Sequence, residues 1–278
     1  MSYKIVVDSC CDLSEDLKKD PRIEVVPLIL LIDGYEIVDD ETFDQADYLA
    51  KVAASSDCAR TACPSPELYK KAYTTEADDV YVVTLSSKLS GSYNSAVLGK
   101  NLYHEKYGDK NIYVCDSLSA CCGETQIALK AMDLAESGLA FEEVVKELET
   151  FRDELGTYFV LDSLETLRKN GRLTGMKALV ASTLNIKPVC IGLKGEIRQK
   201  SQGLGIRKAL VKMTDIVAAE IKEAEKKRLL ITHVNCLKRA QEVREMLLKK
   251  IPFKEALIVD AAGVATTYAG DGGIVVTC

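Results

Sequence analysis

The stretch Leu85–Ala96, LSSKLSGSYNSA, directly follows the β-branched and aromatic run Val80–Thr84, VYVVT. The run has the length and composition of a strand, and the residues beyond Gly91 can continue as a helix. A strand therefore feeds a hydroxyl-rich turn. Ser86, Ser87, Ser90 and Ser92 crowd around Gly91, where the backbone has no side chain to hold a ligand away. The unpaired amides of a helix N-terminus carry partial positive charge and the hydroxyls add donors, so the turn outlines a cradle for a carboxylate or phosphate. Ser90 equally fits a plain helix cap, and spacing alone does not separate the two.

Working outward, strands and helices alternate through the first half. Lys4–Val7 reads as a buried strand, followed by a polar turn and a helix from Ser14 with Ser14 or Asp12 as its cap. Ile23–Ile32 reads as one strand with Pro27 at an edge or bulge, and Asp33-Gly34 as a hairpin returning through Tyr35–Val38. Phe43–Ala54 has helical periodicity, Asp57–Pro66 reads as a loop, and a helix starts at Pro66. Ile112–Cys115 is a short strand, and helices follow over Gln126–Ser137 and from Phe141. This pattern predicts a doubly wound, mostly parallel sheet in an N-terminal α/β domain over 1–156, with a ligand beyond the carboxyl ends of its strands.

The second half predicts a C-terminal α/β domain over 157–278, divided from the first near Gly156. Its strands fall at Tyr158–Leu161, Val189–Leu193, Leu229–His233 and Ala256–Asp260, with a helix over Ile206–Ala224 and a hairpin at Lys194-Gly195. A mixed sheet with helices fits this order. Gly263–Cys278 reads as a Gly-rich turn and a last strand.

With 278 residues, 47% of them hydrophobic, the chain can bury a sizeable core and fill two ordinary domains. A net charge of −6 without a basic block argues against nucleic acid as a partner. No run of 18 apolar residues suggests an integral membrane segment, and the start MSYKIVVDS reads as a strand, so a cytoplasmic protein is expected. The ten cysteines form no C-x-x-C pair and only two histidines are present, which predicts inert thiols, no disulfides, no metal and no cofactor.

The chemistry-bearing motifs are mostly absent. There is no G-x-x-x-x-G-K-[ST] and no G-x-S-x-G, and His104 and His233 have no nucleophile partner by spacing. His233, ending an apolar strand, reads as structural. Asp8-Ser9, Asp116-Ser117 and Asp162-Ser163 each end a strand, but a phosphotransfer site would want Asp-x-Asp, so these residues are expected to cap the following helices.

Seven segments together resemble the DegV family: DSCCDL (Asp8–Leu13), TACPSP (Thr61–Pro66), LSSKLSGSYNSA, DSLSACCG (Asp116–Gly123), LRKNGRLTG (Leu167–Gly175), NIKP (Asn185–Pro188) and TTYAGDGG (Thr266–Gly273). They occur in the family's order and cover essentially the whole chain. The resemblance implies two α/β domains with a long-chain fatty acid buried between them. It also implies a non-catalytic role, presenting the acid to a separate fatty-acid kinase protein. It places the lipid carboxylate at Thr61, Ser90, Gly91 and Tyr268, and candidate kinase contacts at Arg172, Arg198 and Arg207. Where the family commonly has Ser-Gln, His and Arg, this chain has Ala62-Cys63, Tyr268 and Gln202. The alternative function class is a stand-alone enzyme acting on a small carboxylated or phosphorylated metabolite at the same cradle.

Overall fold

Every residue of the strand Asp79–Thr84 is buried, as a strand must be when it has a neighbour on each side and helices over each face. The structure, a computed structural model, describes residues 2–173 and 185–278. In chain order the first half runs β1 (Tyr3–Asp8), α1 (Glu15–Lys18), β2 (Ile23–Val26), β3 (Ile29–Ile32), β4 (Tyr35–Val38), α2 (Gln45–Ala54), β5 (Arg60–Ala62), α3 (Pro66–Ala72), β6 (Asp79–Thr84), α4 (Ser92–Tyr107), β7 (Asn111–Asp116), α5 (Cys122–Glu136) and α6 (Phe141–Glu154). The second half runs β8 (Thr157–Val160), α7 (Glu165–Lys169), β9 (Ile186–Leu193), β10 (Glu196–Leu204), α8 (Ile206–Glu220), β11 (Arg228–His233), α9 (Leu237–Leu248), β12 (Glu255–Asp260), α10 (Gly263–Ala269) and β13 (Ile274–Thr277). The last two residues of the LRKNGRLTG segment lie outside the described residues.

The expected α/β class is what forms. One sheet has the order β2-β1-β6-β7 and is parallel throughout. A second, of six strands in the order β10-β9-β8-β13-β11-β12, is mixed: β11 and β12 are parallel and the other pairs antiparallel. Parallel order forces a crossover between successive strands, and the helices that make the crossovers cover the sheet. The turn of interest leaves the carboxyl end of the central strand β6, the end where an open parallel sheet offers room for a ligand.

Three stretches differ from expectation. Ile23–Ile32 is two strands in two sheets: β2 pairs with β1, whereas β3 pairs with β4 and β5 in a separate antiparallel sheet. Pro27 has no N–H for the ladder, so the chain leaves one sheet there and enters the next. The supposed loop Asp57–Pro66 contains β5, with Thr61 opposite Leu30. Finally, Gly263–Ala269 is a helix. Its first amides are satisfied by carboxylates remote in sequence: Ala262 N donates to Asp12 Oδ1 at 2.7 Å, Gly263 N to Asp39 Oδ1 at 2.7 Å and Val264 N to Asp39 Oδ2 at 3.0 Å. No local signal announces such a cap.

Candidate functional site

The turn that follows β6 is held both by its own hydrogen bonds, such as Lys88 N to Ser86 Oγ at 3.2 Å, and by its neighbours. Ser87 N donates to Asp116 Oδ1 at 3.0 Å, the Ser87 hydroxyl also donates to Asp116, and Leu85 N donates to Asp8 Oδ2 at 2.9 Å. Asp8 and Asp116 therefore tether this turn, where capping of their own following helices had been expected. Ser86 is fully buried and donates to the Gly195 carbonyl at 2.9 Å, which fastens the turn to the β9–β10 hairpin. Three of the four serines are thus committed to structure, since Ser92 is bonded to Asp8 and Tyr69. Ser90 remains. Its Oγ accepts from Ser92 N at 3.2 Å, while its hydroxyl proton has no acceptor among the described residues. The N-cap of α4 is Gly91, so Ser90 stands one residue before the cap and not at it as expected.

Ser90 lines a partly open cavity with about 800 Å³ of empty space, open solvent at its mouth included. Leu85 and Leu89 of the turn, Phe159 and Leu161 at β8, Leu167 of α7, Ile197 of β10, Val264 and Ala265 of α10 and Val275 of β13 make the walls apolar. Both halves of the chain contribute. Cys10 and Cys121 add thiols, and burial raises the latter to about 12, leaving it an uncharged apolar surface.

Seven polar side chains also line the cavity: Thr61, Ser90, Ser119, Thr157, Arg172, Glu196 and Tyr268. Thr61 Oγ1 and the Tyr268 hydroxyl are 3.2 Å apart, and the Arg172 guanidinium lies 5.8 Å from the centre of the Tyr268 ring. Arg172 is held by Nε donating to the Leu89 carbonyl at 3.1 Å and Nη1 donating to Asn170 O, so its charge is fixed beside Ser90. Tyr268 takes its place from α10, which is pinned by the Asp12 and Asp39 caps and by a 2.7 Å contact between the hydroxyls of Tyr48 and Thr267. Burial raises Asp12 to about 7 and Asp39 to about 6 despite these bonds.

The residues singled out from sequence separate into two groups. Thr61, Ser90 and Tyr268 come together on the cavity wall, and Arg172 joins them. Gly91 is exposed at the N-cap of α4, next to Ser90, where an added Cβ would sit 3.0 Å from Cys63 Sγ. Arg198 pairs with Glu196 on β10, and Arg207 is exposed at the start of α8. Neither histidine lines the cavity: His233 is buried with Nε2 3.3 Å from Asp260, and His104 bonds the Lys110 carbonyl at 3.1 Å. All ten cysteines are free thiols, seven of them buried. No helix among the described residues is long and apolar enough to cross a membrane. Nothing in the sequence singles out Asp39 or Glu124, and Asp8 and Asp12, expected as caps of the following helix, instead hold the serine turn and α10.

A chain-long comparison settles the family. A family model described as an uncharacterised protein of the DegV family matches residues 2–277. The chain belongs to the DegV family. A DegV domain-containing protein of Streptococcus gordonii is 34% identical over 279 residues, 99% of this chain and 98% of that one. Among solved structures, a DegV family protein from Ruminococcus gnavus, refined with vaccenic acid, is 50% identical with a TM-score of 0.98, covering 100% of both chains. The Streptococcus pneumoniae Fatty Acid Kinase B3 protein loaded with linoleic acid is 30% identical with a TM-score of 0.90, covering 100% of this chain and 99% of that one.

Proposed function

We propose that this DegV protein binds a long-chain fatty acid in the cavity, with the carboxylate at Thr61, Ser90, the amides around Gly91, and Tyr268. In this reading it presents that carboxylate to a separate fatty-acid kinase. The observation that carries the proposal is a mostly apolar cavity whose polar lining includes Thr61, Tyr268, Ser90 and Arg172, with Thr61 Oγ1 3.2 Å from the Tyr268 hydroxyl and Arg172 over the Tyr268 ring. Burying about fifteen methylenes at roughly 0.8 kcal/mol each gives a gross gain of about 12 kcal/mol before ordering costs. A hydroxyl contact to the carboxylate adds about 1.5–3 kcal/mol. Affinity thus resides in the tail and orientation in the head group.

The adjacent fixed charge supports the same assignment. A buried carboxylate needs donors and a counter-charge, and Arg172 supplies the latter without leaving its own backbone bonds. Thr61 and Ser90 are only half-buried and Gly91 is exposed, so the head-group end lies near the surface, where a second protein can reach it. The protein acts by binding and presentation rather than catalysis, on the fatty acid as its ligand, with a division of the chain into 1–156 and 157–278 around the cavity. Extraction of the purified protein with organic solvent, followed by mass spectrometry, tests the ligand. A stoichiometric long-chain acid is expected. A phosphorylated or short-chain metabolite in its place would instead favour a stand-alone enzyme.

A further inference from the structure

Beneath the serine turn lies a carboxyl group with nothing to bond. Glu124, in the first turn of α5, is fully buried, and neither of its oxygens meets a hydrogen-bond donor among the described residues. An ionised carboxylate there would lack both solvent and donors, a strongly disfavoured state. Asp8 and Cys10 lie beside it. The two acids are treated very differently. Asp8 Oδ1 accepts from Cys10 N at 3.1 Å, and Oδ2 accepts from Leu85 N at 2.9 Å and from Ser92 Oγ at 2.5 Å. Ser92 gives its proton to Asp8, so the Tyr69 hydroxyl, 2.5 Å from Ser92 Oγ, is the donor in that pair. A relay of hydroxyl protons therefore ends on Asp8, and none ends on Glu124.

A carboxylate offers about four acceptor positions, and three at Asp8 are filled by these donors. The fourth is open to a carboxylic O–H. Burial pushes both Glu124 and Asp8 upward, but at Asp8 the bonds from Ser92 and Leu85 offset part of that effect, whereas Glu124 has no such donors among the described residues. We propose that Glu124 is a neutral carboxylic acid donating its proton to an ionised Asp8, and that this pair positions the Leu85–Ser92 turn so that Ser90 faces the cavity. Asp8 binds Leu85 at one end of the turn and Ser92 just past the other, so its placement fixes the span between them. The consequence for the head group rests on the fatty-acid proposal above; the shared proton does not.

The proton is tested by infrared spectroscopy of the intact protein at about pH 8, where ordinary carboxyls are ionised. A protonated-acid carbonyl band is expected that moves when glutamate is labelled with carbon-13 at its side-chain carboxyl, and that vanishes in Glu124→Gln. The positioning role is tested by titrating a long-chain acid and its methyl ester. Glu124→Gln keeps a donor toward Asp8 and should bind the acid within about twofold of wild type, whereas Glu124→Leu should lose about tenfold for the acid and little for the ester. If Glu124→Leu does not fold, Ser92→Ala, which removes one donor from Asp8, is held to the same contrast. Absence of a glutamate-sensitive band overturns the shared proton. Equal loss for acid and ester, or no loss for either, overturns the positioning role. A wild type that bound neither would refute the fatty-acid proposal and leave the band to decide on the proton.

Discussion

Replacing Asp12 by Asn should make the protein's stability less sensitive to pH. Asp12 is fully buried, accepting from Ala262 N at 2.7 Å and from the Thr232 hydroxyl at 2.9 Å, with no cation paired to it among the described residues. Burial raises it from 3.8 to about 7, so between about pH 4 and pH 7 the folded protein holds a proton that the unfolded chain has released. Unfolding free energy must therefore fall as pH rises through that window, and the loss is complete above about pH 7. At about 1.4 kcal/mol per pKa unit, the interval corresponds to roughly 4 kcal/mol as an order of magnitude. Asn is neutral throughout. Its amide oxygen can keep the Ala262 bond, and the Thr232 hydroxyl can turn to accept from its NH2. Asp12→Asn should match or exceed wild type at about pH 8 and lose about one proton of slope at lower pH, leaving the contributions of Asp39, raised to about 6, and of Asp8 and Glu124, which burial also raises. Urea unfolding at a series of pH values measures both. Parallel curves for the two proteins would show that Asp12 is not held near neutrality by its burial.

Further outcomes concern ligand and partner. Thr61→Val or Ser90→Ala should each weaken fatty-acid binding by about 1.5 kcal/mol in a direct titration and reduce phosphorylation of the held acid more, since the tail supplies most of the affinity. Tyr268→His should leave affinity within about 1 kcal/mol while raising the yield of acyl phosphate with a competent kinase, because imidazolium can offset added charge and a neutral phenol cannot. Arg207→Glu, at an exposed position outside the cavity wall, should weaken association with the organism's kinase in a pull-down and leave extracted lipid unchanged. Gly195→Ala should destabilise by on the order of 2 kcal/mol in denaturant unfolding, because φ is +81° and the new Cβ would lie 2.5 Å from Ser86 Oγ.

Most of the strands, most of the long helices and both tight hairpins were legible because their signals are local: β-branched runs, a 3.6-residue period, and Asp33-Gly34 or Lys194-Gly195 between strands. Elements stabilised from a distance were not. β5 is three residues long and exists because β3 lies beside it, and α10 is capped by Asp12 and Asp39, more than 200 residues away. The site divides in the same way. Ser90 could be picked out from its turn, whereas Thr61 and Tyr268 were named through resemblance, because 207 residues separate two hydroxyls that meet only in the fold. Arg172 was named as well, but for the partner; its position over Tyr268 depends on a backbone carbonyl at Leu89 that no sequence pattern encodes.

Four of the polar groups at the cavity stand on four separately supported elements: Thr61 on the small antiparallel sheet, Ser90 on the turn after β6, Arg172 behind α7, and Tyr268 on α10. Such a site can be dismantled piecemeal. A fluctuation that frees one support releases one contact to the ligand while the other three persist, so exchange of a bound chain need not await unfolding of either large sheet. Residence time would then be set by the weakest support, and hydrogen exchange at β5, an edge strand of three residues, should change more on ligand binding than exchange at the wholly buried β6.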